Sequence, residues 1–113
     1  MAFDGFYSIH FRGAADWGIG MLALHNGKVT GVDVAGVTYD GSAAPTSGGN
    51  IGVNIVLNVP AGVALVQGVS KPQPWQLPIN VVVPEQNLGN GQPVAVATPV
   101  GPVQVVFKKL RDL

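Results

Sequence analysis

Apolar and polar residues alternate with a period of two along most of the chain, which is the spacing of a strand that buries one face. From Gly5 to Arg12, Tyr7, Ile9 and Phe11 alternate with Phe6, Ser8, His10 and Arg12, and the first set is the inward candidate. The pattern is cleanest from Asn50 to Val59: Ile51, Val53, Ile55, Leu57 and Val59 fall on one face, Gly52, Asn54, Val56 and Asn58 on the other. Gln76 to Val83 repeats it with Leu77, Ile79, Val81 and Val83, although Pro78 has no N–H for a ladder and requires an edge or a bulge. Short strands are expected around Val37 to Tyr39 and over Val63 to Gln67, and a closing hairpin pairs Val94 to Thr98 with Val103 to Arg111 around Pro99-Val-Gly-Pro102. Between them, Ala43 to Gly49 has the composition of an exposed, mobile loop, and Gly68 to Pro74 that of a second loop. Pro84 to Leu88 suits a single helical turn, and no segment keeps a helical period for longer.

One turn fixes a register unaided. Asn26-Gly27 separates the strand ending at His25 from the one beginning at Lys28, and Asn-Gly readily takes the two positive φ angles of a type I′ turn. A two-residue loop sets His25 opposite Lys28, Leu24 opposite Val29, Leu22 opposite Gly31 and Gly20 opposite Asp33. Leu22, Leu24, Val29 and Asp33 then share one face, while Ile19, Met21, Val32 and Val34 share the other. Both faces are partly apolar, as in a sheet covered on both sides or one whose outer face meets another subunit.

About eight such strands with mostly short connections predict an all-β fold, a small antiparallel up-and-down barrel formed by one domain over residues 1–113. Closure into a barrel removes the edges that would make so uncharged a sheet aggregate. Charged residues are only 11% of the 113 residues, against about 25% in an average soluble domain. Net charge is zero, so no long-range field steers the protein to nucleic acid or to an anionic membrane, and little repulsion opposes a homodimer. There is no cysteine, which excludes disulfides and fits a reducing compartment. The opening residues carry neither a basic nor an apolar signal region, and no apolar run approaches the roughly 20 residues of a spanning helix. A cytoplasmic protein is expected.

Candidate chemistry is sparse. Gly18-Ile-Gly20-Met-Leu-Ala23 has the glycine spacing of a dinucleotide fingerprint, but Asn26-Gly27 leaves no room for the helix that would bind pyrophosphate, so these glycines read as strand positions beside bulky neighbours. His10 and His25 lack partners at ligand spacing, and no metal or cofactor is expected. Ser42 and Ser70 lack the setting of a nucleophile, and no acid–base pair can be assembled, so an enzyme is not expected. Lys108, Lys109 and Arg111 form a small basic end without interleaved aromatics, which argues for a solvated strand and against direct nucleic-acid binding. Asp33 alone interrupts an apolar strand pattern. Facing inward it needs a donor, for which Tyr7 and Tyr39 are the candidates, either as a satisfied structural group or as the anchor of a ligand.

Three segments carry a resemblance: Asp4-Gly-Phe-Tyr-Ser-Ile-His-Phe11; Gly18-Ile-Gly20 through Asn26-Gly27 to Gly31-Val-Asp33 and Tyr39-Asp-Gly41; and Phe107-Lys-Lys-Leu110. Together they resemble the GrlR-type negative regulators of type III secretion, densely from Asp4 to Gly41 and thinly from Ser42 to Gln104. The resemblance implies a lipocalin-like eight-stranded barrel, a dimer, and regulation by binding a protein partner, a transcriptional regulator. In that family the partner is held by an acidic run after the segment matching Tyr39-Asp-Gly41. Here that place, Ser42 to Asn50, contains no acid, so no functional residue is carried over from it.

A regulatory function is therefore expected first, with ligand carriage as its alternative. The first is a regulatory protein that binds a protein partner through another surface. The alternative is a carrier of a small apolar ligand, with Tyr7, Ile9, Phe11, Asp33, Tyr39, Ile51, Val53, Ile55 and Leu57 lining the barrel interior.

Overall fold

A computed structural model describes residues 2–113 as one eight-stranded antiparallel sheet curled into a nearly closed barrel. The strands are β1 (Gly5–Arg12), β2 (Trp17–His25), β3 (Lys28–Asp33), β4 (Thr38–Thr46), β5 (Asn50–Val59), β6 (Trp75–Pro84), β7 (Val94–Val96) and β8 (Val103–Asp112). Their order is β6-β5-β4-β3-β2-β1-β8-β7. This is an up-and-down meander in which β8 returns to pair with β1, so the chain's two ends are joined within the sheet. The seam lies instead between β6 and β7, where no ladder forms among the described residues. A 3-10 turn over Glu85–Leu88 packs between β6 and β8 at this seam and buries Leu88. With β6 at the seam, Pro78 lies on an edge strand, as its missing N–H demands.

The β2–β3 turn sets its register as expected. Asn26 and Gly27 have φ of 50° and 81°, and Leu24 pairs with Val29, Leu22 with Gly31 and Gly20 with Asp33. The alternation along β1 and β5 likewise holds: Tyr7 and Ile9 are buried, as are Ile51 and Val59, while the residues between them are more exposed. Gly18 of the fingerprint-like segment lies opposite Phe11 in the β1–β2 ladder, and a Cβ there would collide with the Phe11 ring. The glycine makes room for an aromatic neighbour.

Two expectations are corrected. Ala43 to Thr46 is not loop; it continues β4 and pairs with β5 as far as Thr46 opposite Asn50, leaving only Ser47–Gly49 as the turn. The cause is the long apolar β5, whose paired length carries a weakly patterned partner with it. Val63 to Gln67 is not a strand either. It belongs to the β5–β6 connection, residues 60–74, which crosses one end of the barrel as a strap. Leu65 N–H donates to Val69 O (2.9 Å) and Gly68 N–H to Leu65 O (2.8 Å), so its backbone groups bond within turns instead of a ladder.

The antiparallel order places the β2–β3, β4–β5 and β6–β7 connections at one end of the barrel, the hairpin end. The strap shares the other end with the β1–β2, β3–β4 and β7–β8 connections. Phe3, Tyr7, Ile51 and Val83 fill the hairpin end, and the Tyr7 hydroxyl donates to Phe3 O at 2.5 Å. Val37 and Val59, also buried, close the rim of the strap end on the β4–β5 side.

Candidate functional site

The inward faces do not fill the space between the two ends. An apolar cavity of about 120 Å³ remains, walled by residues from all eight strands, with Leu65, Val66 and Gln67 of the strap over it and Leu88 at the seam. Its lining is almost wholly aliphatic and aromatic. Asp33, Tyr39 and Gln67 are the polar members.

Seven of the expected lining residues are brought together there: Ile9, Phe11, Asp33, Tyr39, Val53, Ile55 and Leu57. Tyr7 and Ile51 do not join them. They share the inward parity but lie near the hairpin end, where the walls converge and leave them 1% and 0% exposed within the packed core. Parity identifies which face a residue takes and not how far along the barrel the core stays solid.

Other wall residues were missed. Leu22, Leu24 and Val29 share the Asp33 face of the central hairpin, and Val103, Val105 and Phe107 repeat the same parity on β8. Those signals were present in the alternation. The strap contribution was signalled more weakly, by Leu65-Val66 as an apolar island within a stretch rich in Gly and Pro.

Asp33 ends β3 and organises the turn into β4. One oxygen, Oδ1, accepts from the N–H groups of Ala35 (2.9 Å) and Val37 (3.2 Å); the other, Oδ2, accepts from the Tyr39 hydroxyl (2.6 Å). Of the two candidate donors it is Tyr39 that Asp33 finds. Burial, and then the hydrogen bond and negative charge of Asp33, push the Tyr39 phenol far above its ordinary range, so it stays protonated. The Asp33–Tyr39 pair is thus a fixed structural unit that also borders the cavity.

The strap is held from both sides. Val66 O accepts from the N–H groups of Ala15 (2.9 Å) and Asp16 (3.1 Å) in the β1–β2 connection. Gln67 Nε2 donates to Thr98 Oγ1 (3.2 Å), which in turn donates to Gly101 O (2.5 Å) in the β7–β8 connection. Three connections at one end are therefore tied into a single cover.

Elsewhere the chemistry is thin. His10, His25, Ser42 and Ser70 are exposed, and among the described residues no three His, Asp or Glu side chains are grouped as a metal site. Lys109 pairs with Asp112 (2.5 Å) and donates to Ala2 O (3.3 Å), which draws one member of the basic end into local contacts. No helix among the described residues is long and apolar enough to cross a membrane.

The outer face of β2 and β3 is the other departure from an ordinary surface. Trp17 (64% exposed), Met21 (46%), Val32 (54%) and Val34 (79%) lie there. Met21 is paired with Val32, and Val34 N–H donates to Ile19 O, so the residues adjoin across the two strands. Comparison with known proteins finds no family model that matches the chain and no matching curated protein.

Proposed function

We propose that the protein is a non-catalytic binding module whose barrel interior takes a compact apolar molecule. The observation that carries this reading is the apolar cavity beneath the strap, about 120 Å³ in volume. Its size supports a small ligand class. An engineered cavity of roughly 150 Å³ lined by Leu, Ile and Phe stays dry and binds benzene, whereas pockets for drug-sized ligands run to about 300–1,000 Å³. A fatty acyl chain is too large for the cavity as built, and a molecule of benzene size is the match.

Titration with benzene should shift resonances of residues around the cavity, such as Leu24, Ile55 and Val105, at about one site per chain. Ile55→Trp should abolish those shifts while the β-rich circular dichroism spectrum persists. A cavity that is in fact filled would give no benzene shifts, and the same substitution would only overpack the core, at a cost of about 1–3 kcal/mol.

A second reading, favoured by the exposed apolar face of β2 and β3, is a cytoplasmic regulator that works through protein contact, as a homodimer or with a transcriptional regulator. Large apolar patches on a soluble surface mark interaction sites, and the low charge of this chain does little to oppose pairing. The two readings use opposite faces of the same strands and are compatible. Light scattering at tens of micromolar protein should give a dimer mass that Met21→Asp reduces to a monomer; a monomer mass for the unmodified protein removes the homodimer.

A further inference from the structure

The hydrogen-bonding capacity of the Asp33–Tyr39 pair, at the strap end of the cavity, has a definite sign. An ionised carboxylate has about four acceptor positions and no donor. In Asp33 three are occupied, two on Oδ1 by the Ala35 and Val37 N–H groups and one on Oδ2 by the Tyr39 hydroxyl. The remaining position is on Oδ2. Tyr39 commits its only hydroxyl proton to Asp33, so its oxygen can only accept as well. Both residues border the cavity, and apart from them and Gln67 its wall is hydrocarbon. The third polar wall residue, Gln67, sits on the strap with its Nε2 donating to Thr98.

We propose that the interior site selects compact apolar molecules that carry one hydrogen-bond donor, a hydroxyl or an amine N–H, and that Asp33 receives it. This rests on the reading of the barrel interior as the binding site and adds the polarity of its ligand. A donor meeting a charged acceptor at the edge of an apolar cavity gains a charge-assisted hydrogen bond. A ligand with only acceptors places its oxygen against the Asp33 carboxylate and the Tyr39 lone pairs, loses its hydration and gains nothing from that pair. Discrimination by such a site exceeds what a hydrocarbon wall achieves by shape alone.

The test uses three five-membered-ring probes of equal heavy-atom count: cyclopentanol, cyclopentanone and methylcyclopentane, titrated into the full-length protein and followed by amide and methyl shifts of cavity residues. Cyclopentanol should bind about tenfold or more tightly than cyclopentanone. Asp33→Asn reverses the local polarity: the side-chain carbonyl keeps accepting from Ala35 and Val37, while the amide donates to the Tyr39 oxygen and to the cavity. Cyclopentanone should then bind at least as well as cyclopentanol.

Equal binding of all three probes overturns the donor proposal and leaves the interior site standing. Binding of none removes the interior reading itself, and the proposal with it. A wild-type preference for cyclopentanol that survives unchanged in Asp33→Asn overturns the role of Asp33. Should that variant fail to fold, the wild-type ranking still decides, because a ketone that binds as well as the alcohol refutes the selection.

Discussion

At the hairpin end of the barrel Tyr7, Ile51 and Val83 are 1%, 0% and 0% exposed. Farther along the same inward faces, Phe11, Val53, Ile55 and Leu57 border empty space. Strands, parity and residue types are alike in the two halves. The difference lies in what closes each end. At the hairpin end two of the three connections are tight, the Asn26-Gly27 turn and Ser47–Gly49, and the third, between β6 and β7, buries Leu88 at the seam. The other end is covered by a 15-residue connection that bridges the mouth from above and contributes two aliphatic side chains, Leu65 and Val66. Whether a small barrel has a solid or a hollow interior is thus decided by its loops as much as by its strands.

The comparison is tested most severely by equivalent truncations in the two halves. Ile51→Ala removes a wholly enclosed side chain and should cost about 2–5 kcal/mol, because its neighbours cannot collapse into the void. Leu57→Ala acts where the side chain already faces space and is only half-buried. With fewer contacts to lose, it should cost no more than about half as much. Urea unfolding of both variants measures the two values. Equal costs would show that the cavity wall is packed as tightly as the hairpin end.

The strands that carry this contrast were legible in the sequence, but which part of their interior is solid was not. Local turn chemistry gave the β2–β3 register, because Asn26-Gly27 leaves the pairing no freedom. Strict alternation gave the bounds of β1 and β5 and the inward set, and Pro84 before Glu85–Leu88 gave the single helical turn. Five cavity residues, Ile9, Phe11, Val53, Ile55 and Leu57, followed from parity, and Asp33 and Tyr39 from the need of an inward carboxylate for a donor. What parity does not supply is depth along the axis, so it groups Tyr7 and Ile51 with the wall although they lie in the core. The two corrected segments failed for related reasons. Ala43 to Thr46 has no pattern of its own and is strand because β5 pairs with it. Val63 to Gln67 has an apolar pattern, but it satisfies burial by packing over the mouth and not by joining a ladder. In both cases tertiary context overrides local preference.

A smaller effect is expected where the cover is fastened. A Cβ on Gly13 would stand 2.5 Å from Val66 O and 2.9 Å from the Gln67 nitrogen, both of them backbone atoms that cannot rotate away. Gly13→Ala should therefore lift the strap and lengthen the bonds from Ala15 and Asp16 to Val66 O. Amide exchange at Ala15 and Asp16 should quicken by about tenfold or more, while the amides of Tyr7 and Ile51 keep their protection, as expected for local opening. A global cost of about 1–2 kcal/mol would accompany it. Uniform acceleration across all strands would instead mean that cover and barrel open as one unit.

The smallest expected effect is one of ionisation, and it belongs to the packed half. Asp4 is buried at the hairpin end, where its Oδ2 accepts from the Asn26 N–H at 3.3 Å and lies 4.0 Å from His25 Nδ1. Burial alone would raise the carboxyl pKa, but the Asn26 donor, together with smaller contributions that include His25, outweighs it and holds the pKa below its ordinary value. The folded protein then binds this proton less readily than the unfolded chain does. The stabilisation is complete above the unfolded carboxyl value of about 3.9 and is lost as pH falls through the lower folded value. Urea midpoints should accordingly decline below about pH 4, and Asp4→Asn should lower stability near neutrality while flattening that acid limb. Because Asp4 touches the Asn26-Gly27 turn, the loss should appear first as faster amide exchange at Asn26, with the strap unaffected. An acid limb of unchanged slope in Asp4→Asn would assign the transition to other carboxylates and separate the closure of the hairpin end from its charge.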